Sequence, residues 1–176
     1  MALNIVSLGA LADQVEASTA AVLALRAAEP EGAFLDLGAG GGFPGLWVAA
    51  CHPCPGVLVE PRARRADFLE LSLAAMGRRD WSVVRARFDD GRWVGVAGGS
   101  TALEELQALS PGVVSARAVW SAETWWAVGS SLAGRRGLVM MHVRPGALNP
   151  AGAEQLASSA LGGWEVRLLR SQQPEP

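Results

Sequence analysis

Short apolar runs alternate along the chain with longer segments in which apolar residues recur at helical spacing. The runs end at glycine, proline or charged residues and predict strands over residues 33–37, 56–60, 81–85, 111–116, 137–143 and 164–169. The segments around them predict helices over 13–28, 43–50, 62–76, 102–109, 122–132 and 150–160, with Asp13 capping the first. Strands that alternate with helices form parallel sheets. The pattern therefore predicts an α/β fold with a doubly wound, mostly parallel sheet.

The length of the chain, 176 residues, suits one folded domain. We expect residues 1–170 to form that domain, with residues 1–32 as a helical lead-in to the first strand. Residues 89–100 are rich in glycine and lack periodicity, so they predict an exposed loop. Residues 171–176 carry no apolar pattern and predict a disordered tail.

Composition narrows the class of protein. Half of the residues are hydrophobic, 18% are charged and the net charge is -2, which excludes a disordered chain or a coiled coil. A protein that grips a long polyanion through its phosphates normally carries a positive balance, so extensive binding of that kind is disfavoured. The sequence has neither a membrane-spanning apolar run nor a signal-peptide pattern, which predicts a cytoplasmic protein without membrane association.

Both cysteines lie in one motif, Cys51-His52-Pro53-Cys54. Such a pair can be redox-active, can form half of a metal site, or can be two small apolar residues at the end of a helix. A redox pair is expected at the start of a helix, where the dipole lowers the thiol pKa, whereas this pair follows the predicted helix 43–50. Outside the motif, His142 is the only other histidine available for zinc. We therefore favour a structural role and predict no metal site.

The densest chemical signal is a glycine loop directly after the first predicted strand. Residues 36–45 read Asp-Leu-Gly-Ala-Gly-Gly-Gly-Phe-Pro-Gly, with five glycines in the last eight positions. Such a loop lets the backbone approach a ligand that any Cβ atom would exclude. The letters match the pattern of proteins that bind S-adenosylmethionine (SAM) and also that of nicotinamide enzymes, so the glycines predict a nucleoside or dinucleotide site without choosing between them.

Two carboxylates accompany the loop. Glu60 closes the second predicted strand, where a carboxylate can accept hydrogen bonds from both ribose hydroxyls of an adenosine group in either cofactor. Asp36 ends the first strand, where a carboxylate suits the amino group of SAM better than a pyrophosphate. The chain also contains no tyrosine and no lysine, which excludes oxidoreductase chemistry of the Tyr-x-x-x-Lys type.

Residues 34–46, with Phe43-Pro44-Gly45 as their most specific element, are followed by Glu60 and by Arg64-Arg65. Two further motifs follow later strands, Arg85-Ala-Arg-Phe-Asp89 and Ser115-Ala-Arg-Ala118. Together these motifs resemble those of the bacterial small-subunit rRNA guanine-N7 methyltransferases, the glucose-inhibited-division-B family. The resemblance covers about residues 33–143. Here only 32 residues precede Ala33, whereas family members carry a longer N-terminal helical region.

The resemblance implies a Rossmann-like class I methyltransferase fold, SAM as the cofactor, and small-subunit rRNA or the small ribosomal subunit as the partner. It implies that Arg117 is the catalytic residue, beside the methyl group and near guanine O6 or a phosphate. The cofactor-binding residues that it implies are Asp36, Gly38, Gly40, Gly42, Phe43, Glu60, Phe88 and Asp89.

Two further groups of residues have more than one interpretation. Arg62, Arg64 and Arg65 either form an anion-binding rim or are neutralised by nearby acidic residues. Trp120, Trp125 and Trp126 either stack on a base or cover a core face. Three alternatives to rRNA methylation stay open, namely a small-molecule methyltransferase, a catalytically silent SAM- or nucleotide-binding protein and, as the least favoured, a nicotinamide-dependent oxidoreductase. A partner protein that completes the recognition surface is also compatible with the short N-terminal region.

Overall fold

A computed structural model describes residues 8–96 and 100–172. Its elements in chain order are α1 (Leu8–Ala28), β1 (Phe34–Leu37), α2 (Gly45–Cys51), β2 (Gly56–Val59), α3 (Ala63–Ala75), β3 (Trp81–Val84), β4 (Ala86–Asp89), β5 (Arg92–Gly95), α4 (Ser100–Ala108), β6 (Val113–Ala116), α5 (Ala122–Ala133), β7 (Leu138–Val143), β8 (Ala153–Leu161) and β9 (Trp164–Ser171).

The main sheet has seven strands in the order β3-β2-β1-β6-β7-β9-β8. Strands β3, β2, β1, β6 and β7 pair in parallel, and β9 is antiparallel to both β7 and β8. The expected doubly wound, mostly parallel sheet is therefore confirmed. The order reverses between β1 and β6. In open sheets of this kind, ligands bind beyond the carboxyl ends of the strands at such a reversal.

Helices and short elements cover both faces of the sheet. Helices α1, α2 and α3 pack on one face, around buried residues such as Phe34, Leu58 and Met140. Helices α4 and α5 and the β4–β5 hairpin pack on the other, around Leu35 and Val114. Burial of both faces explains why the central strands are continuous apolar runs rather than alternating ones. No helix in the described ranges is long and apolar enough to cross a membrane.

The prediction of a helix over residues 150–160 is wrong, because this segment forms strand β8. It pairs with β9 through a hairpin whose turn is Gly162-Gly163, with Gly162 at a φ of 58°. Two glycines between two strands are a sequence signal for a hairpin. The alanines and serines of the segment have little strand preference of their own, so pairing with β9 decides its conformation.

The prediction of a plain loop over residues 89–100 is also wrong in part. Strands β4 and β5 form a separate hairpin whose turn, Asp90-Gly91, has φ angles of 47° and 74°. Asp-Gly is a favoured pair for a turn with two positive φ angles, so these two residues are a sequence signal for the hairpin. Phe88 and Trp93 pack edge to face across the hairpin with ring centroids 4.9 Å apart.

The predicted start of the first helix and the predicted start of the disordered tail are also wrong. Helix α1 begins at Leu8, so Asp13 lies inside the helix and does not cap it. The predicted disordered tail begins too early, because Ser171 is the last residue of β9 and the backbone N–H of Gln172 donates to the carbonyl of Gly152 over 2.9 Å. The rest of that tail, residues 173–176, lies outside the described residues, as do residues 1–7 of the lead-in.

Candidate functional site

The glycine loop folds tightly over the carboxyl end of β1. Gly38, Gly40 and Gly42 have φ angles of 68°, 55° and 89°, which only glycine adopts without strain. The backbone N–H groups of Gly38 and Ala39 both donate to the carbonyl of Val59, at 2.8 and 3.0 Å. These bonds fix the start of the loop against the end of the neighbouring strand β2.

Asp36 lies fully buried behind the loop. Its Oδ2 atom accepts a hydrogen bond of 3.1 Å from the backbone N–H of Gly45, the first residue of α2. Burial raises the pKa of Asp36 to about 7, although the Gly45 bond, the Ser115 hydroxyl and the charge of Arg117 oppose the rise. The carboxyl therefore changes its charge near neutral pH, directly behind the glycine loop.

Glu60, directly after β2, ties the loop to the next strand. It is 3% exposed, and its two carboxylate oxygens accept backbone hydrogen bonds of 2.9 Å each, from Gly40 to Oε2 and from Arg62 to Oε1. Each carboxylate oxygen has two lone pairs, so both can accept a further hydrogen bond from a ligand hydroxyl. This geometry fits the predicted contact with a ribose.

A cavity of about 710 Å³ opens beside the loop and runs along the carboxyl edge of the sheet. The predicted site residues that line it are Gly38, Gly40, Phe43, Glu60 and Arg117. Asp36 and Gly42 are buried and do not line it. Phe88 and Asp89 lie in the β4–β5 hairpin, also outside its lining, where Asp89 forms an ion pair of 3.5 Å with Arg87. Their assignment to the cofactor remains a prediction.

Arg117 lies one residue beyond β6 and is held by residues from distant parts of the chain. Its Nη1 atom donates to Oε1 of Gln14 in α1, and its guanidinium lies 4.8 Å from the ring centroid of Trp164 in β9. Removal from water lowers the pKa of Arg117, and the nearby charge of Arg144 lowers it too. In the part of the chain that the structure describes, Arg117 forms no ion pair, so its charge is available to a ligand.

The three tryptophans have different roles. Trp125 is buried, and its Nε1 atom donates to the carbonyl of Met140 over 2.9 Å. Trp120 stacks on it at 5.8 Å with an interplanar angle of 7°, and both line the cavity. Trp126 does not line this cavity but lines an adjoining apolar groove between α5 and the segment 147–151. Core packing thus accounts for Trp125, and stacking of a base stays a hypothesis for Trp120.

Of the three arginines of the predicted rim, Arg62 and Arg65 line the cavity and Arg64 is exposed outside its lining. Within residues 8–96 and 100–172, no ion pair joins any of them to an acidic side chain. Arg65 approaches Gly40 so closely that a Cβ atom at Gly40 would lie 3.6 Å from Arg65 Nη1. This arrangement is consistent with an anion-binding rim.

Sequence reasoning missed Gln14, His142 and Trp164, which also line the cavity. His142 lies near the end of β7 and Trp164 opens β9, which starts at the same edge because it runs antiparallel. The predicted strand 137–143 carries His142 near its carboxyl end, so the sequence alone could have placed this residue at the site. The position of Trp164 required knowing the direction of the last strand.

The cysteine motif has the predicted position at a helix end, since α2 ends at Cys51. Cys51 is exposed, and Cys54 is partly buried with a pKa that burial raises to about 11. Arg78 crosses the segment, and its guanidinium donates to the carbonyls of His52 and Cys54 at 2.8 and 2.6 Å. These contacts fit the structural interpretation, because a thiol with a raised pKa is a weak nucleophile.

The sheet order and the glycine loop at its reversal define a Rossmann-like methyltransferase fold. The chain is similar to a solved structure described as the putative methyltransferase yhhF from Escherichia coli, with a TM-score of 0.59 and 18% identity over 89% of this chain and 86% of that one. It is also similar to a mutant of MtNAS solved in complex with S-adenosylmethionine, with a TM-score of 0.61 and 11% identity over 93% of this chain and 63% of that one.

The family model described as GidB, rRNA small subunit methyltransferase G, matches residues 11–145. The chain therefore belongs to this family, as its motifs predicted. It is 36% identical over 118 residues to the ribosomal RNA small subunit methyltransferase G of Erythrobacter litoralis, which is 65% of this chain and 50% of that protein. The chain thus spans about half the length of that relative, and its match to the Sphingopyxis alaskensis relative spans 26% of that protein.

Proposed function

We propose that the chain is a SAM-dependent methyltransferase whose acceptor is a guanine N7 atom in small-subunit rRNA. The observation that carries this proposal is one cavity that joins the glycine loop, Glu60 and Arg117. Membership of the GidB family supports both the cofactor and the substrate. The small ribosomal subunit, or its rRNA, is the partner that follows from this function.

The residues present fit the adenosine half of SAM. Gly40 has no side chain towards the cavity, and Glu60 keeps free lone pairs for the two ribose hydroxyls. Asp36 lies buried behind the loop and does not line the cavity, so its charge, when ionised, would act on the ammonium group of the methionine half from behind the loop. When bound, SAM supplies a methyl group activated by a positive sulfur atom.

The protein's own contribution to the transfer is alignment. Guanine N7 presents a free lone pair, so the reaction requires no general base, and the rate depends on holding the base in line with the methyl group. Arg117 is already fixed by Gln14 and Trp164 and offers N–H donors to guanine O6, the acceptor next to N7. It therefore orients the base without blocking the reacting atom.

Calorimetry with SAM, its demethylated product and NAD tests the cofactor. We expect binding of the first two, and loss of that binding in Gly40→Asp, because the new carboxylate occupies the space of the ligand next to Glu60. Transfer is then measured with labelled SAM and small-subunit rRNA, with the product nucleoside identified by mass spectrometry. Failure of the wild-type protein to bind SAM, or a product other than N7-methylguanine, would contradict the proposal.

Arg117→Ala separates binding from transfer. We expect its affinity for SAM to stay within about threefold of the wild type and its transfer rate to fall by about 100-fold, the typical loss for one oriented donor. Arg136→Ala, at an exposed position after α5, removes the same charge away from the cavity and should leave both quantities unchanged. Equal turnover by Arg117→Ala and wild type would remove Arg117 from the mechanism.

A further inference from the structure

Three buried nitrogen atoms, in two residues that line the cavity, have no hydrogen-bond partner within residues 8–96 and 100–172. They are Nδ1 and Nε2 of His142 and Nε1 of Trp164, and both residues line the cavity. An unpaired buried polar group costs about 1–3 kcal/mol, so folded proteins rarely leave several together. Their concentration on two neighbouring residues of a cavity indicates that a ligand provides the missing partners.

These nitrogens lie at the end of the cavity away from the glycine loop. Along the carboxyl edge of the sheet the strand order is β2, β1, β6, β7 and β9, which carry Glu60, the loop, Arg117, His142 and Trp164 in that order. Neighbouring strands are about 4.8 Å apart, so His142 lies roughly 10 Å from the loop strand β1 and roughly 14 Å from the strand of Glu60. A cofactor held by Glu60 and the loop leaves the β6, β7 and β9 end for the acceptor.

Two guanidinium groups and a neutral imidazole at this end suit a ligand with strong acceptor atoms. The guanidinium groups of Arg117 and Arg144 lie 4.8 and 4.0 Å from the ring centroid of Trp164, and neither forms an ion pair with a described residue. Burial, aided by the charge of Arg117, lowers the pKa of His142 to about 3. The imidazole is therefore neutral and offers one donor and one acceptor.

We propose that Arg117, His142 and Trp164 form the subsite for the acceptor base and select guanine by its O6 and N1 positions. The inference rests on the proposed function and deepens it. The N–H donors of Arg117 and Trp164 suit the O6 acceptor, and the unprotonated nitrogen of His142 accepts the N1–H proton. Adenine presents an amino group and an unprotonated N1 at the same positions, so it would oppose donor to donor and leave the His142 acceptor unpaired.

Two conservative variants test the subsite. Trp164→Phe keeps an aromatic ring for the two guanidinium groups, removes the N–H donor and makes the ring system smaller. His142→Phe keeps a planar ring, slightly larger than imidazole, and removes both nitrogens, and His142→Asn restores a donor and an acceptor. We expect unchanged affinity for SAM and a 10- to 100-fold fall in kcat/KM for guanine in the two Phe variants, with partial recovery in His142→Asn. Trp126→Phe, at a tryptophan that does not line the cavity, is the matched control.

The preference for guanine over adenine distinguishes base recognition from a purely structural role, because a structural role would not change that preference. Model RNAs with one guanine or one adenine at the target position should show a smaller preference for guanine in His142→Phe than in the wild type. Thermal unfolding confirms that each variant is folded. If the wild type transfers a methyl group to guanine and the Phe variants keep both its kinetics and its preference for guanine, the subsite alone is overturned. A wild-type protein that transfers no methyl group to guanine would overturn the proposed function and the subsite with it.

Discussion

The two ends of the cavity differ in how their polar groups are satisfied. At the glycine-loop end, both oxygens of Glu60 and one of Asp36 accept hydrogen bonds from backbone N–H groups. At the far end, both ring nitrogens of His142 and the indole nitrogen of Trp164 have no partner among the residues that the structure describes. The carboxylate oxygens of Glu60 at the first end are paired with backbone N–H groups without a ligand, whereas three nitrogen atoms at the second end have no partner among the described residues.

The two ends also differ in their expected contributions to the stability of the free protein. A loop whose carboxylates are bonded to its own backbone is preorganised, so a cofactor meets a formed site. Unpaired groups at the far end lower the stability of the free protein, and their partners arrive with the substrate. Such a cost is typical of groups that are retained for function. Substitutions at the two ends should therefore change stability in opposite directions.

The largest effect on stability is expected at Asp36, which lies at the glycine-loop end and whose pKa is raised by burial. Its pKa is raised from 3.8 to about 7 by burial, so the folded state favours the protonated carboxyl. The resulting stability is fully present below pH 3.8 and is lost as the pH rises through about 7. Relative to Asp36→Asn, which does not titrate, the wild type should lose up to about 4 kcal/mol of unfolding free energy over this range.

Chemical denaturation at several pH values between 4 and 8 measures this difference directly. The Asn variant corrects for all other titrating groups, because they are common to both proteins. A constant difference between the two proteins across the range would mean that Asp36 stays in one protonation state, and the raised pKa would be refuted.

A smaller effect is expected at Gly45, where the loop meets α2. A Cβ atom there would overlap the side chain of Leu58 and lie 2.7 Å from Asp36 Oδ2. Overpacking of this kind costs about 1–3 kcal/mol, which outweighs the roughly 1 kcal/mol that alanine gains over glycine in a helix. Gly45→Ala should therefore lower the free energy of unfolding, measured by denaturant titration.

The control for Gly45→Ala is Ala50→Gly, at an exposed position of the same helix. It should cost about 0.5–1 kcal/mol through helix preference alone. A Gly45→Ala protein as stable as the wild type would show that the packing of α2 on β2 tolerates an extra methyl group.

The loop end of the site could be predicted from the sequence, and the far end largely could not. Asp36, the glycines and Glu60 lie within 25 consecutive residues, and their contacts follow from one strand, one loop and the next strand. The far end assembles Gln14 from α1, Arg117 from the residue after β6 and Trp164 from β9, and Gln14 lies 103 positions from Arg117. Contacts of that range depend on tertiary packing, which local patterns do not encode.

The same division holds for the fold. The apolar strands of the centre were predicted to within one or two residues at each end, because burial on both faces produces continuous hydrophobic runs. Strand β8, at the edge, is a run of alanine, serine and polar residues, and its conformation depends on pairing with β9. Where the environment rather than the local sequence decides, the prediction of a helix was wrong.

The smallest effects should separate the two ends most directly, through matched substitutions of one polar group at each. Glu60→Gln places an amide NH₂ group opposite the backbone N–H of Gly40 or Arg62, so one carboxylate bond is lost and the unfolding free energy should fall by about 1 kcal/mol. His142→Phe removes two unpaired nitrogens in a ring of similar size, so stability without ligand should stay equal or rise by about 1 kcal/mol. Both values come from denaturant titration of the ligand-free proteins. A loss of stability in His142→Phe as large as that in Glu60→Gln would mean that the imidazole is already satisfied in the free protein, and the contrast between the two ends would disappear.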